Sequence, residues 1–179
     1  MIFDLDSFSV AHINLVASHR SAAREATRNH SLKHSDDFTE FGLHYVGAMG
    51  EFAVAKYLGL EIDNRILPGP DEGEDMQSPL GSIQVKTRTF TGKKVDLFFN
   101  SIVDLKASIA VGIQIINPTR LRFLGWITKE RFINESVLKT YGYGQRSTIA
   151  EEKLDNIAVL KDRIMNRLKI PNTSTHQEE

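Results

Sequence analysis

The sequence predicts an α/β domain in which a central mixed sheet is flanked by helices, and three observations carry that prediction. Apolar residues recur at helical spacing over 10–29 and again up to Leu58. A strand-like alternation follows at Ile83, Gln84, Val85, Lys86 and Thr87, with branched and aromatic runs over 95–100, 108–116 and 121–128. Helical spacing then returns over 151–168. A chain of 179 residues with 41% hydrophobic content holds enough apolar material for one core. One domain is therefore expected over 1–170, its core at about 37–136, followed by a disordered polar tail over 171–179.

In the first helix, Ile13, Val16, Ala17 and Ala23 form the apolar positions, while Arg20, Arg24 and Arg28 share a face. The run from Asn29 to Ser35 interrupts the pattern, and Ser35, Asp36 or Asp37 is placed to cap a second helix. That helix is expected to run to Leu58, with Gly59 as its stop. Phe41, Tyr45, Ala48, Phe52, Ala55 and Leu58 give its apolar stripe; Gly42, Gly47 and Gly50 leave room for a neighbouring backbone. An acidic stretch punctuated by Pro and Gly, residues 67–75, reads as a loop entering a short strand. In the next strand Gln84 and Lys86 fall on one side. Residues 95–100, 108–116 and 121–128 are expected to complete the same sheet, with a turn at Asn117-Pro118-Thr119-Arg120. A short helix over 129–136 starts under a Thr128 cap, and a longer one over 151–168 closes the chain, with Leu154, Ile157, Ala158 and Ile164 in register.

Composition narrows the chemistry. The chain has no cysteine, which excludes disulfides, thiolate zinc sites and cysteine nucleophiles; any catalytic metal must rest on oxygen or imidazole. Its N-terminus carries Asp4 and Asp6 where a secretory signal carries positive charge, and no apolar run reaches membrane-spanning length. A cytoplasmic or otherwise intracellular protein is expected, with no membrane partner. A net charge of -1 gives no general attraction to nucleic acid, so DNA binding would need local clustering of the 22 basic residues.

Three features stand in a telling order: Glu51 in a helical Gly50-Glu51-Phe52-Ala53 context, Asp75 in Glu74-Asp75-Met76, and the strand Gln84-Val85-Lys86. Together they resemble the PD-(D/E)XK nuclease superfamily, in which a helix supplies a glutamate, a hairpin an aspartate, and the following strand an acid or amide and then a lysine. The resemblance covers roughly 47–128, and Leu124-Gly125-Trp126-Ile127-Thr128 looks like the end of the core in some phage and bacterial members. It implies a restriction endonuclease-like core with an added N-terminal helix and a C-terminal helix. The implied activity is metal-dependent hydrolysis of DNA phosphodiester bonds with magnesium, or manganese in its place. By the same resemblance Asp75 would be the principal metal ligand, with Glu51 near it, the Val85 carbonyl completing the set, and Lys86 facing the attacking water or scissile phosphate.

Gln84 departs from the commoner acid. Its amide oxygen still ligates a hard cation, but the site loses one negative charge. The literal Pro-Asp pair is Pro70-Asp71; Asp75 is preferred because it precedes a turn at Ser78-Pro79-Leu80-Gly81 that would make a hairpin with the strand of Gln84 and Lys86, and Asp71 is the fallback. The bland readings stand beside these: a helical glutamate and loop acids are ordinarily solvated, and alternation equally describes the polar face of a half-exposed strand.

Lys86, Arg88, Lys93 and Lys94 form a basic patch beside the motif suited to DNA phosphates, to which Arg24 of the helical arginine face could add. His30 and His34 have metal-ligand spacing but read as a surface pair. The run Tyr141-Gly142-Tyr143-Gly144-Gln145-Arg146 reads as loop punctuation, with nucleic-acid contact as its functional alternative. The rival to the nuclease is a nucleic-acid-binding module or accessory protein that keeps the fold without catalysis. A homodimer is compatible with either.

Overall fold

In the computed structural model the described residues are 1–26, 39–62, 73–89, 92, 94–142 and 144–169. They form strand β1 (Ile2–Asp4), helices α1 (Ser7–Ala26) and α2 (Glu40–Leu58), hairpin β2 (Met76–Ser78) and β3 (Gly81–Arg88), and strand β4 (Leu97–Phe99). Strands β5 (Ile109–Asn117) and β6 (Arg120–Thr128), helix α3 (Lys129–Glu135), hairpin β7 (Val137–Tyr141) and β8 (Gly144–Ile149), and helix α4 (Ile157–Lys169) follow. The central sheet has the order β1-β6-β5-β3-β2; β3 and β5 are parallel and the remaining pairs antiparallel. This is the mixed α/β sheet flanked by helices that the periodicities predict. No helix among the described residues is long and apolar enough to cross a membrane.

Local chemistry explains the helix ends. Asp6 accepts a hydrogen bond from the Ser9 backbone N–H at 2.7 Å and starts α1 three residues before the predicted position. Thr39 caps α2 by accepting from the Gly42 N–H at 3.1 Å, and Gly59 ends it in the left-handed conformation at φ 71°. The predicted caps Ser35, Asp36 and Asp37 lie outside the described residues, as do 27–29 at the end of the first predicted helix, His30, His34 and the tail over 171–179. Thr128 caps α3 as expected. The closing helix starts later than predicted. Asp155 exchanges backbone hydrogen bonds of 2.9 Å with Trp126, which holds it extended, and the Asn156 side chain then caps α4 through the Ala158 N–H.

The sheet separates two cores. On one side Ile83, Val85, Val111, Ile113, Leu121 and Phe123 pack against Ile13 of α1, Ala48, Ala53 and Leu58 of α2, and Leu160 and Ile164 of α4. On the other, Ala110 and Ile127 meet Leu97, Phe99, Phe132 and Ile149. That second core requires its own covering layer, and here one expectation is corrected. β4, predicted within the central sheet, belongs instead to a separate three-stranded sheet of order β4-β8-β7. A three-residue β4 alternating as buried Leu97, half-buried Phe98 and buried Phe99 serves as an edge strand over the second core. β1, β7 and β8 were not foreseen. Val137 to Thr140 are exposed and the β8 sequence is largely polar, so neither strand carries the apolar alternation that marks a core strand.

α2 lies against β3 at close range. A methyl group on Gly50 would fall 1.9 Å from the Thr87 hydroxyl oxygen and 3.1 Å from its Cβ. Gly50→Val should therefore destabilise the protein by about 1–3 kcal/mol through overpacking, read from chemical denaturation. The Asp6 cap makes a second measurable statement. Hydrogen bonds from Ser9, assisted by Lys56, lower the Asp6 pKa from 3.8 to about 2. A lowered folded-state pKa stabilises above the unfolded value and is lost as pH falls through the folded one. Asp6→Asn should accordingly flatten the stability curve between pH 3.8 and about 2 and leave its shape at neutral pH unchanged.

Candidate active site

β3 presents a different chemistry to each side. Ile83 and Val85 enter the helix-covered core, so alternation sends Gln84, Lys86 and Arg88 to the opposite face. Across the hairpin Met76 pairs with Ile83 in the core, and the preceding Asp75 stands at the open end of the hairpin along the β2-side edge of β3, where it bonds Ile83 and Val85. Gln84 and Lys86 thus share one face of β3, as period-two alternation predicts, and Asp75 stands at the edge of the same strand; Glu74 accepts from the Ser82 hydroxyl at 2.9 Å, and Ser82 alternates onto the Gln84 face.

Asp75 stands at the entry to β2, half-buried. Its backbone N–H donates to the Ile83 carbonyl at 2.9 Å, and its Oδ2 accepts from the Val85 N–H at 2.6 Å. The carboxylate therefore takes the place of a strand partner for Val85, and this fixes its orientation. In a strand the N–H and C=O of one residue point along the same edge, so the Val85 carbonyl also faces the β2 side. Gln84 is 6% exposed, and its Oε1 is buried with no hydrogen-bond partner among the described residues. Gly73 closes over the amide: a Cβ there would lie 2.9 Å from Gln84 Nε2. Lys86 is half-buried, its ammonium over the Phe99 ring at 5.1 Å from the centroid.

Glu51 is placed differently. It is buried on α2, and Arg20 of α1 grips it with two hydrogen bonds, Nη1 to Oε1 at 3.0 Å and Nη2 to Oε2 at 2.7 Å. A small cavity beside it is lined by His12, Ile13 and Val16 of α1, so the carboxylate is turned toward that helix. α2 packs on the Ile83–Val85–Thr87 face through Gly50, whereas Gln84 and Lys86 leave from the other face. The charge partner that a buried glutamate requires is thus Arg20. In the sequence Arg20 shares a helical face with Arg24 and Arg28, and its position one turn from Arg24 carries no sign of this pairing.

The basic residues divide. Arg88 stacks on Phe98, its guanidinium carbon 3.5 Å from the ring centroid, and donates to the Phe98 carbonyl at 2.8 Å. Lys94 is exposed at the periphery and pairs with Glu152 at 3.7 Å. Lys93, the side chain of Arg24, and Asp71 lie outside the described residues. Phe98 and Phe99, which support Arg88 and Lys86, were legible only as apolar strand residues.

Among the described residues no group of three or more His, Cys, Asp or Glu is arranged to hold a metal ion. The oxygen donors along this stretch are the carboxylate of Asp75, that of Glu74, which is bonded to Ser82 and Gln77, and two neutral carbonyls, the backbone of Val85 and Gln84 Oε1, which has no hydrogen-bond partner among the described residues. An all-oxygen set that carries carboxylate charge fits a hard cation such as magnesium, which keeps several of its own waters. An unsatisfied buried amide oxygen is otherwise costly, and a cation would satisfy it.

Removing Arg20 should strand a buried carboxylate. Arg20→Ala is expected to cost about 3 kcal/mol in urea unfolding, and Glu51→Gln in the same background should recover part of it. Equal stabilities of wild type and Arg20→Ala would show that the pair is not structural. No family model, curated protein or solved structure matches this chain.

Proposed function

We propose that the protein is a metal-dependent DNA endonuclease that hydrolyses phosphodiester bonds with magnesium, or manganese in its place. One observation supports this reading above others: the Gln84 Oε1 is buried, with no hydrogen-bond partner among the described residues, on the face of β3 that carries Lys86 and next to the Val85 N–H that holds the Asp75 carboxylate. A solvated polar strand face would leave that oxygen in water.

The bound cation would supply a polarised phosphate and a more acidic water. Asp75 contributes the negative charge that recruits it, in an orientation set by the Val85 N–H. Gln84 and the Val85 carbonyl offer neutral oxygens from the same stretch of β3. Lys86, held over an aromatic ring, places an ammonium where anionic charge develops on the scissile phosphate, and a preorganised cation there stabilises the transition state more than the ground state.

A second reading has its own support. Glu51 is engaged by Arg20, Glu74 by Ser82 and Gln77, and glutamine stands in place of the commoner second acid, so the candidate site is poorer in available carboxylate charge than the resemblance implies. A nuclease-fold DNA-binding module without catalysis would need no more.

Cleavage of linear, supercoiled, single-stranded and branched DNA with magnesium, manganese or EDTA separates the two. Asp75→Asn, which keeps an acceptor for Val85, and Lys86→Ala are each expected to lower metal-dependent cleavage at least about a hundredfold with melting behaviour unchanged. Gln84→Glu should retain cleavage and tighten manganese binding. Wild-type rates in both the Asp75 and Lys86 variants would sink the nuclease; salt-dependent DNA binding without cutting would establish the module.

A further inference from the structure

The face of α1 turned away from the core carries an exposed apolar seam. Ile13 and Ala17 are buried where α1 packs on α2, so helical geometry puts Phe8, Ala11, Leu15, Ser18 and Ala22 on the opposite side, and all five are exposed. Phe8 is 78% exposed and Leu15 55%. Successive steps of three and four residues separate them, the a/d spacing with which one helix packs along another. The outward face of a solvated helix is ordinarily charged, yet 7–19 holds no Asp, Glu, Lys or Arg. The border of the seam is polar without a permanent charge. His12, its ring 5.5 Å from that of Phe52 on α2, and His19 lie on one side; on the other are Ser7 and Asn14, whose amide donates back to the Val10 carbonyl at 3.0 Å.

We propose that this seam binds a second copy of itself, with α1 antiparallel to α1 of the other molecule in a weak, reversible dimer. The alternation of size along the seam selects that occupant. Reversing one helix sets residues at equal distances from a two-fold axis opposite each other. An axis level with residue 13 puts Phe8 against the partner's Ser18 and Leu15 against the partner's Ala11, so each of the layers holds one large and one small side chain. A parallel pair would set phenyl on phenyl and methyl on methyl, overfilling one layer and leaving the next empty. The absence of charge gives an acidic or basic partner nothing to pair with, and gives an identical face nothing to repel. Antiparallel pairing also opposes the two helix dipoles. The bidentate Arg20–Glu51 pair holds α1 in the rotation that keeps the seam outward. So short a contact covers less than the roughly 800 Å² per molecule of a standard interface, which sets the dimer in the micromolar range. None of these residues belongs to the β3 site, so the inference stands apart from the nuclease reading.

Sedimentation equilibrium of the full chain without DNA reads the association directly. Wild type should show a monomer–dimer equilibrium with a Kd of about 10–100 μM. Leu15→Glu and Ala11→Lys each bury an unpaired charge in the seam and should weaken the dimer at least about tenfold, with melting temperatures unchanged because both positions are exposed. An equimolar mixture of the two variants should regain the dimer, because the antiparallel register sets their opposite charges against each other. A wild type that stays monomeric throughout that range, a dimer indifferent to Leu15→Glu, or a mixture that stays monomeric would each overturn the pairing. Should either variant fail to fold, Ser18→Glu and Phe8→Lys, the other facing pair, take their place under the same outcomes.

Discussion

A strand covered on both sides must find a use for every polar atom it buries, and β3 is such a strand. Helices cover its Ile83–Val85 side and the three-stranded sheet approaches its Gln84–Lys86 side. Gln84 cannot reach water, Lys86 lies over a phenyl ring, and Arg88 stacks on another. Each is a polar group held in one place by apolar surroundings, and this is the condition under which a side chain performs chemistry rather than merely solubilising a surface. The hairpin adds the carboxylate, because β2 begins one residue too late to satisfy Val85 and the Asp75 side chain does so instead.

The helical layer follows a different logic. α1 and α2 are joined by apolar packing and by one buried ion pair, and the desolvation of Glu51 is offset only while both hydrogen bonds from Arg20 hold. The same pair fixes the rotation of α1 about its axis, since a bidentate guanidinium accepts little angular freedom. α2 in turn is fixed against β3 by the absence of a side chain at Gly50. Position thus passes from α1 through α2 to the strand of the candidate site.

The parts of this fold written in local patterns were the readable ones. Helical periodicity and the Gly59 and Thr128 signals located α2 and α3, and period-two alternation located β3 and the common face of Gln84 and Lys86. Whatever depends on partners distant in the chain was hidden. The 151–168 periodicity does not reveal that Trp126 holds Asp155 extended and delays α4, and nothing in Leu97-Phe98-Phe99 tells which sheet they join. Arg20 and Glu51 are paired across 31 residues, and an arginine on a helical face looks the same whether it meets water or a buried carboxylate. Tyr141 and Arg146 looked like a loop because their hairpin is stabilised by strand pairing with β4, not by an apolar alternation of its own.

The β2–β3 hairpin has a consequence for the order in which the molecule assembles. Asp75, Gln84 and Lys86 are joined by a tight turn, so their mutual arrangement forms on the microsecond scale of hairpin closure. The parallel pairing of β3 with β5 demands a longer chain closure and follows more slowly. The candidate cluster is therefore arranged as a local unit before its low-polarity surroundings close, and a folding chain has these side chains in place well before it acquires the enclosure around them.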